Sequence, residues 1–207
     1  LARGDDEVLQ GGAAEDHLAQ AALRIRPLDQ KIGAGARGQV RILASVSAMS
    51  ESLADDVAAF LQMPGNGNIQ VDMEERVSPD IVRGVRDGTA SVGVCWDAAD
   101  LGPLQSRAYR SDHLCIVVPS GHPLSARNSL PFADTLDFEH VSLPVNSAVQ
   151  VMLRREAAQL GRTLTHRVIV SNFEAALRVV RAGLAISLVP REVAGSFAQA
   201  YGLKMIL

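Results

Sequence analysis

The sequence SDHLCIVVP at residues 111–119 is an apolar run that closes in a proline turn, Gly121-His122-Pro123. A short apolar run bounded by turn residues is typical of a buried strand. It lies near the middle of a chain in which both halves alternate strand and helix patterns. A strand that leads from one α/β lobe into a second lobe predicts a hinge, and a hinge predicts a cleft. We therefore expect a ligand-sensing module rather than a catalytic one.

The composition is that of a globular protein that can bury one large core or two small ones. The chain has 207 residues, of which 47% are hydrophobic and 21% charged. A net charge of -3 gives no basic footprint for nucleic acid. No apolar run approaches the roughly 20 residues of a membrane span, and no signal-peptide pattern opens the chain, so we expect a cytoplasmic protein without a membrane partner. Cys95 and Cys115 lie in apolar strand patterns and are predicted to be free core thiols.

The first 37 residues carry a helical pattern of their own. Apolar residues that include Leu18, Ile25 and Ile32 recur three and four positions apart, which is typical of helix-on-helix pairing. Pro27 requires a kink or a restart of this helix. The alternative is a surface helix that packs on its own domain. A glycine-rich linker follows, at residues 33–38.

Past Gly38, strands and helices alternate, which predicts right-handed crossovers and mainly parallel sheets. The predicted strands are 40–44, 69–73, 90–96, 140–143, 168–170, 184–189 and 203–207, besides the central run. The predicted helices are 50–61, 148–160, 175–182 and 191–201, and a further helix is opened by Ser78-Pro79. Ser47 is predicted to be the N-cap of the first of these helices, and Ser78 that of the helix it opens. Ser171 and Glu174 have the spacing of a capping box.

Hydroxyl and amide side chains stand at four strand-to-helix turns, two in each half of the chain. In parallel sheets, ligands bind beyond the carboxyl ends of the strands, where helix N-termini point. These N-termini favour an anion such as a carboxylate. The alternative for each residue alone is ordinary helix capping. The residues at these turns are Ser45, Ser47, Ser78, Asn146, Ser147, Ser171 and Asn172.

Two aromatic residues complete the candidate site. Trp96 ends a strand pattern and is a candidate pocket wall, with rim packing as the alternative. Phe173 follows the last cap and faces either the ligand or the core, with the core favoured. Arg76 and Arg110 are arginines for which solvent exposure is the favoured interpretation. Because only 4% of the residues are aromatic, a small polar or acidic metabolite is a better ligand than one that needs ring stacking.

The sequence lacks the usual signs of catalysis. It has no Gly-x-Ser-x-Gly elbow and no Cys-x-x-Cys, and its glycine-rich residues 33–38 are interpreted as a linker rather than as a phosphate-binding loop. The five histidines show no spacing suited to a metal. Adjacent strand residues such as Asp112 and His113 point to opposite faces and are a poor acid-base pair. We expect neither an enzyme nor a cofactor or metal site.

Several short motifs, in this order, resemble the regulatory half of LysR-type transcriptional regulators. They are Gly38-Gln39-Val40-Arg41-Ile42, Phe60 with Pro64, Arg86-Asp87-Gly88, Asp112, His122-Pro123-Leu124, Ala182-Gly183-Leu184-Ala185-Ile186 and Leu188-Val189-Pro190. The likeness covers about residues 9–207. It implies an α/β fold similar to type 2 periplasmic binding proteins, in which two Rossmann-like subdomains are joined by two crossover strands and preceded by a linker helix. The effector would bind between the subdomains, at the positions given above.

The resemblance also implies a division of the chain. Residues 1–37 would be the remnant of a wing and a dimerising linker helix. Residues 38–117 and 191–207 would form subdomain I, and residues 118–190 subdomain II. DNA would be bound by a winged helix-turn-helix that precedes the matched residues, in a homodimer or homotetramer. Two alternatives are a solute-binding protein of a transport system and an enzyme built on the same bilobal scaffold.

Overall fold

The computed structural model describes residues 38–111 and 113–207, which form two α/β lobes. The predicted linker helix within residues 1–37 lies outside the described residues, as does Asp112. In chain order the elements are β1 (Gly38–Ala44), α1 (Val46–Ser50), α2 (Leu53–Gln62), β2 (Ile69–Glu75), α3 (Ser78–Arg86), β3 (Val92–Val94), β4 (Leu114–Pro119), a 3-10 helix (Pro123–Ala126), α4 (Phe132–Thr135), β5 (His140–Ser142), α5 (Ala148–Gln159), β6 (His166–Ile169), α6 (Phe173–Arg181), β7 (Ser187–Pro190), α7 (Arg191–Tyr201) and β8 (Leu203–Ile206).

Lobe I is built on a parallel sheet of order β2-β1-β3 with β1 at its centre. The apolar residues of β1 are buried on both faces, as a central parallel strand requires. Val40, Ile42 and Ala44 pack with α2, while Leu43 packs with Ile81 of α3. The carboxyl ends of β1 and β2 therefore lie side by side, and each leads into a helix.

Lobe II repeats this arrangement and adds antiparallel strands. Strand β5 is parallel to β6 on one side, and a bridge from His140 to Ile186 joins it to the residue before β7 on the other. Strand β4 is antiparallel to both β7 and β8. The core between this sheet and helices α5, α6 and α7 includes Val117, Leu177 and Val189, all completely buried. Both lobes thus place a parallel strand between two others, with its carboxyl end open to the next helix.

The C-terminal segment packs differently from the prediction. We assigned residues 191–207 to subdomain I, but β8 is hydrogen-bonded to β4, with Ile206 opposite Ile116. Helix α7 packs on α6, and its residues Val193 and Ala194 are buried in the core of lobe II. Backbone pairing with β4 therefore places this segment in the second lobe. The exact boundary between the predicted subdomains stays a prediction.

Several predicted element boundaries are also wrong. Residues 50–61 are not one helix, because the backbone of Glu51 leaves the helical region (φ −102°, ψ −135°) and separates α1 from α2. The predicted strand 90–96 shortens to three residues, since only Val92–Val94 pair with β1. Ser171 and Glu174 form no capping box: Asn172 is the N-cap of α6, and Glu174 pairs with Arg178 four residues later.

Both cysteines are reduced, as predicted. Cys115 is 2% exposed in the core of lobe II, and its thiol lies 3.6 Å from the carbonyl oxygen of Val189. Cys95 is partly buried at the end of the lobe I sheet, and burial raises its pKa. The Cys95 thiol therefore lacks the lowered pKa that marks a reactive cysteine.

Candidate functional site

A cavity of about 270 Å³ lies between the two lobes, at the carboxyl ends of their parallel strands. Both lobes contribute side chains to it, and most of them are polar. This is the location that the parallel-sheet rule predicts for a ligand. The lining residues are Ser45, Val46, Glu75, Arg76, Val77, Ser78 and Asp80 from lobe I, and Pro144, Asn146, Ser147, Ala148 and Ser171 from lobe II.

The lobe I wall consists of the turns that follow β1 and β2. The amide of Ser45 donates to the carbonyl of Val94 over 2.9 Å, and the amide of Arg76 donates to the carbonyl of Ala44 over the same distance. These bonds fix both turns to the sheet edge. The buried hydroxyl of Ser78 accepts a bond from the amide of Trp96 over 3.4 Å. Backbone and side-chain hydrogen bonds thus hold this wall in place.

The lobe II wall consists of the turns that follow β5 and β6. The hydroxyl of Ser147 caps helix α5 by accepting from the amide of Gln150 over 3.3 Å. The amide of Val170 donates to the carbonyl of Ser142, so the second turn is also anchored to the sheet. The hydroxyl of Ser171 accepts from the side-chain amide of Asn172 over 3.4 Å. Each of these serines keeps its own hydroxyl proton, which can be donated to a ligand.

Three charged residues line the cavity on the lobe I side. The Arg76 guanidinium pairs with Glu74 and donates to the Glu75 carbonyl over 3.0 Å. Asp80 pairs with Arg83 one turn along α3, at 3.2 Å. Burial raises the pKa of Glu75, and its carboxylate forms no ion pair with any described residue. The wall therefore offers an arginine that is already paired and one carboxylate that is not.

The structure brings together five of the nine predicted site residues, namely Ser45, Ser78, Asn146, Ser147 and Ser171. The other four lie outside the cavity lining. Ser47 is the second residue of α1 rather than its cap, and Asn172 caps α6 by accepting from Ala175 over 2.9 Å. Phe173 is 1% exposed in the core, and Trp96 is only partly buried. A direct role in binding for any of the nine stays a prediction.

Two predicted caps are wrong in detail. Helix α3 is preceded by Val77, so Ser78 is its first helical residue and bonds to Trp96 instead of to its own helix. Ser45, not Ser47, precedes α1, and its side chain makes no capping bond. Both hydroxyls still line the cavity, because the turns themselves are at the expected places.

The charged lining residues Glu75 and Asp80 were missed by the sequence interpretation, which concentrated on hydroxyl and amide caps. Arg76 was considered but assigned to solvent. The signal was available, since Glu75 ends strand β2 and Arg76 follows it, two residues before Ser78. Arg110 lies outside the lining and pairs with Asp56 at 3.1 Å, which holds the segment before β4 against α2.

A second cavity, of about 470 Å³, lies within lobe II and is lined mainly by apolar residues of β4, α4 and α5, such as Leu114, Phe132 and Met152. None of the predicted site residues lines it. Of these two cavities, the interlobe cavity is the one that combines polar side chains from both lobes with helix starts.

Residues 38–111 and 113–207 contain no cluster of three or more His, Cys, Asp or Glu side chains that could hold a metal ion. None of the helices described is long and apolar enough to cross a bilayer.

The fold and the cavity define a bilobal ligand-binding domain of the α/β class. The sequence matches the family model of the LysR substrate binding domain over residues 33–207. This chain therefore belongs to the LysR substrate binding domain family, and the predicted resemblance and fold, similar to type 2 periplasmic binding proteins, are confirmed. The family match favours a regulator over the solute-binding and enzyme alternatives. No curated protein is significantly similar in sequence.

Solved structures agree with this fold. The effector binding domain of QuiR in complex with shikimate has a TM-score of 0.72 and 16% identity, covering 83% of this chain and 80% of that one. The CcmR regulatory domain of Synechocystis PCC6803 in complex with 2-PG has the same TM-score and 14% identity, with 82% and 80% covered. The cofactor-binding domain of the Cbl transcriptional regulator has a TM-score of 0.72 and 16% identity, with 87% and 78% covered.

Proposed function

We propose that this chain is the effector-sensing and oligomerising region of a LysR-type transcriptional regulator. The observation that carries the proposal is the interlobe cavity, to which both lobes contribute polar side chains at the carboxyl ends of parallel strands. A ligand held by both lobes stabilises one relative orientation over others. Such a switch requires only differential affinity for two arrangements, with a coupling of about 1–3 kcal/mol.

The effector is a small metabolite with an acidic group. The cavity volume of about 270 Å³ suits a small molecule. Helix α5 has twelve residues and begins at the cavity, so its amide groups and dipole favour an anion there. The hydroxyls of Ser45, Ser147 and Ser171 supply further donors. The neighbours solved with shikimate and 2-PG support a small-molecule ligand for this fold.

The remaining partners follow from the family. A regulator of this type acts in the cytoplasm and binds DNA through a winged helix-turn-helix that would precede these residues in the complete protein. The chain pairs as a homodimer or assembles as a homotetramer, and it carries out no catalysis. Size-exclusion chromatography with light scattering tests the oligomeric state.

A thermal-shift screen of small carboxylic acids tests the cleft assignment. Binding to the folded state raises the melting temperature with ligand concentration. We expect the Ser147→Ala variant to bind a ligand found in this screen at least about tenfold more weakly, because a charge-assisted hydrogen bond is removed. Ser196→Ala removes an exposed hydroxyl of α7 outside the cavity lining and should leave affinity unchanged. Equal affinity in Ser147→Ala, Ser171→Ala and the unaltered chain would place the ligand elsewhere.

A further inference from the structure

The charges around the cavity leave one carboxylate unmatched. On the outer side of β1 and β2, Asp72, Arg41, Glu74 and Arg76 form an alternating chain of ion pairs, in which Glu74 bridges the two arginines. Two acids and two bases neutralise one another in this chain. Arg76 lines the cavity, but its positive charge is already shared with Glu74.

The two remaining lining acids differ in their surroundings. Asp80 has a partner in Arg83, at 3.2 Å. Glu75 has no ion-pair partner among the described residues, although it lines the cavity beside the paired Arg76. A carboxylate that loses water when the lobes close needs a cation or a hydrogen-bond donor in exchange. No described cation pairs with Glu75, so a positively charged group on the ligand would supply that partner.

The opposite wall has the complementary character. Asn146, Ser147 and Ser171 of lobe II carry no charge, and each can donate a hydrogen bond to a bound carboxylate. The start of α5 lies on the same side. The cavity thus presents donors on lobe II and an unpaired acceptor, Glu75, on lobe I.

We infer that the effector is a small zwitterion, an aminocarboxylate, with its carboxylate at the Ser147 end of the cavity and its ammonium group at Glu75. This inference rests on the proposed function and names the ligand class for the same cavity. A ligand with a second carboxylate at the lobe I side would place like charges together. A simple monocarboxylate would leave Glu75 without a partner as the lobes close.

Matched ligand pairs test the inference on the 207-residue chain. The probes are the protein amino acids and short ω-amino acids, each beside the acid that lacks the amino group, such as L-alanine with propionate, L-glutamate with glutarate and L-leucine with isocaproate. Thermal shift gives hits, and calorimetry gives their affinities. We expect an aminocarboxylate to bind at least about tenfold more tightly than its deaminated partner, since the ion pair is lost with the amine.

Two variants then locate the ammonium group. Glu75→Gln keeps the shape of the side chain and removes its charge. It should weaken binding of the aminocarboxylate by about tenfold or more, and it should change the affinity for the deaminated ligand by less than about twofold. Asp55→Asn is the matched control, because it removes an exposed acid of α2 outside the cavity lining. It should change neither affinity. The melting temperature of each unliganded variant shows that it is folded.

The outcomes separate the two proposals. If simple acids bind as well as their amino derivatives, or Glu75→Gln leaves the aminocarboxylate unaffected, the zwitterion is wrong and the effector cleft stands. If aminocarboxylates bind but Ser147→Ala and Ser171→Ala change nothing, the cleft assignment itself is wrong. If neither series of ligands binds, both the zwitterion and the acidic effector are wrong.

Discussion

The hydroxyl oxygen of Ser147 accepts a hydrogen bond from the backbone amide of Gln150 over 3.3 Å, at the point where helix α5 meets the interlobe cavity. This oxygen satisfies an amide that the helix itself cannot pair. In the proposed function, the hydroxyl proton of Ser147 is donated to the ligand. Asn172 provides the comparison, because it caps α6 in the same way but lies outside the cavity lining.

Replacing Ser147 by alanine should lower the free energy of unfolding by about 1 kcal/mol, the usual cost of losing an N-cap. Asn172→Ala should cost a similar amount. Ser45→Ala should cost clearly less, since Ser45 makes no capping bond. Urea unfolding of the three variants measures these differences. A Ser45 variant as destabilised as the Ser147 variant would contradict the assignment of the caps.

The sequence predicted the lobe II wall better than the lobe I wall. Asn146-Ser147 and Ser171-Asn172 each stand in the turn that follows a strand, and in each pair the second residue is the observed cap. In lobe I, helix α1 begins at Val46, four residues before the predicted start, and α3 begins at Ser78, the residue predicted to open it. Hydroxyl residues on both sides of a turn leave the first helical residue ambiguous, because capping depends on backbone angles that residue type alone does not determine.

The C-terminal assignment failed for a different reason. The apolar pattern of residues 203–207 correctly predicts a strand, and 191–201 a helix. Periodicity identifies an element and its buried face, but not the strand with which it pairs. Strand β4 has two neighbours, β7 and β8, and only the structure reveals the second. The charge arrangement around Glu75 likewise depends on which strands become adjacent.

Alanine at Gly93 should destabilise lobe I. A Cβ there would lie 2.6 Å from Cγ2 of Ile81 and 2.9 Å from Cγ2 of Val85, and both neighbours are β-branched and stiff. We expect Gly93→Ala to lower the free energy of unfolding by about 1–3 kcal/mol through overpacking. Gly195→Ala is the control, because nothing lies within 4 Å of its Cβ in helix α7. It should raise stability by up to about 1 kcal/mol. Equal melting temperatures for both variants would contradict the close contact of α3 with β3.

Tyr109 should stay protonated to a higher pH than an ordinary tyrosine. Burial and the hydrogen bond to Asp56 raise its pKa from 10.0 to about 12. The folded state therefore keeps its proton where the unfolded state loses it, so stability falls as pH rises from about 10 towards 12. Ultraviolet absorbance of tyrosinate, with Tyr109→Phe subtracted, measures the ionisation. A Tyr109 midpoint near pH 10 would mean that the phenol is not held against α2.

His140 should make the protein sensitive to acid. It is 1% exposed on β5, and burial lowers its pKa from 6.5 to about 4. The folded state holds the ring neutral while the unfolded state takes up a proton. The contribution of His140 to the free energy of unfolding is therefore fully present above about pH 6.5 and is lost as the pH falls towards 4. The lowered pKa corresponds to a contribution of at most about 3 kcal/mol. His166, opposite His140 on β6, has a pKa lowered by burial and acts in the same direction.

Urea unfolding at a series of pH values between about 7 and 4.5 measures this dependence. His140→Leu removes the titrating ring and should reduce the slope of stability against pH, without abolishing it, because His166 remains. His113→Gln removes an exposed histidine just before β4 and should leave the slope unchanged. If the His140→Leu and His113→Gln variants give the same slope, the acid sensitivity arises from other groups. Burial would then not be what keeps the His140 ring neutral.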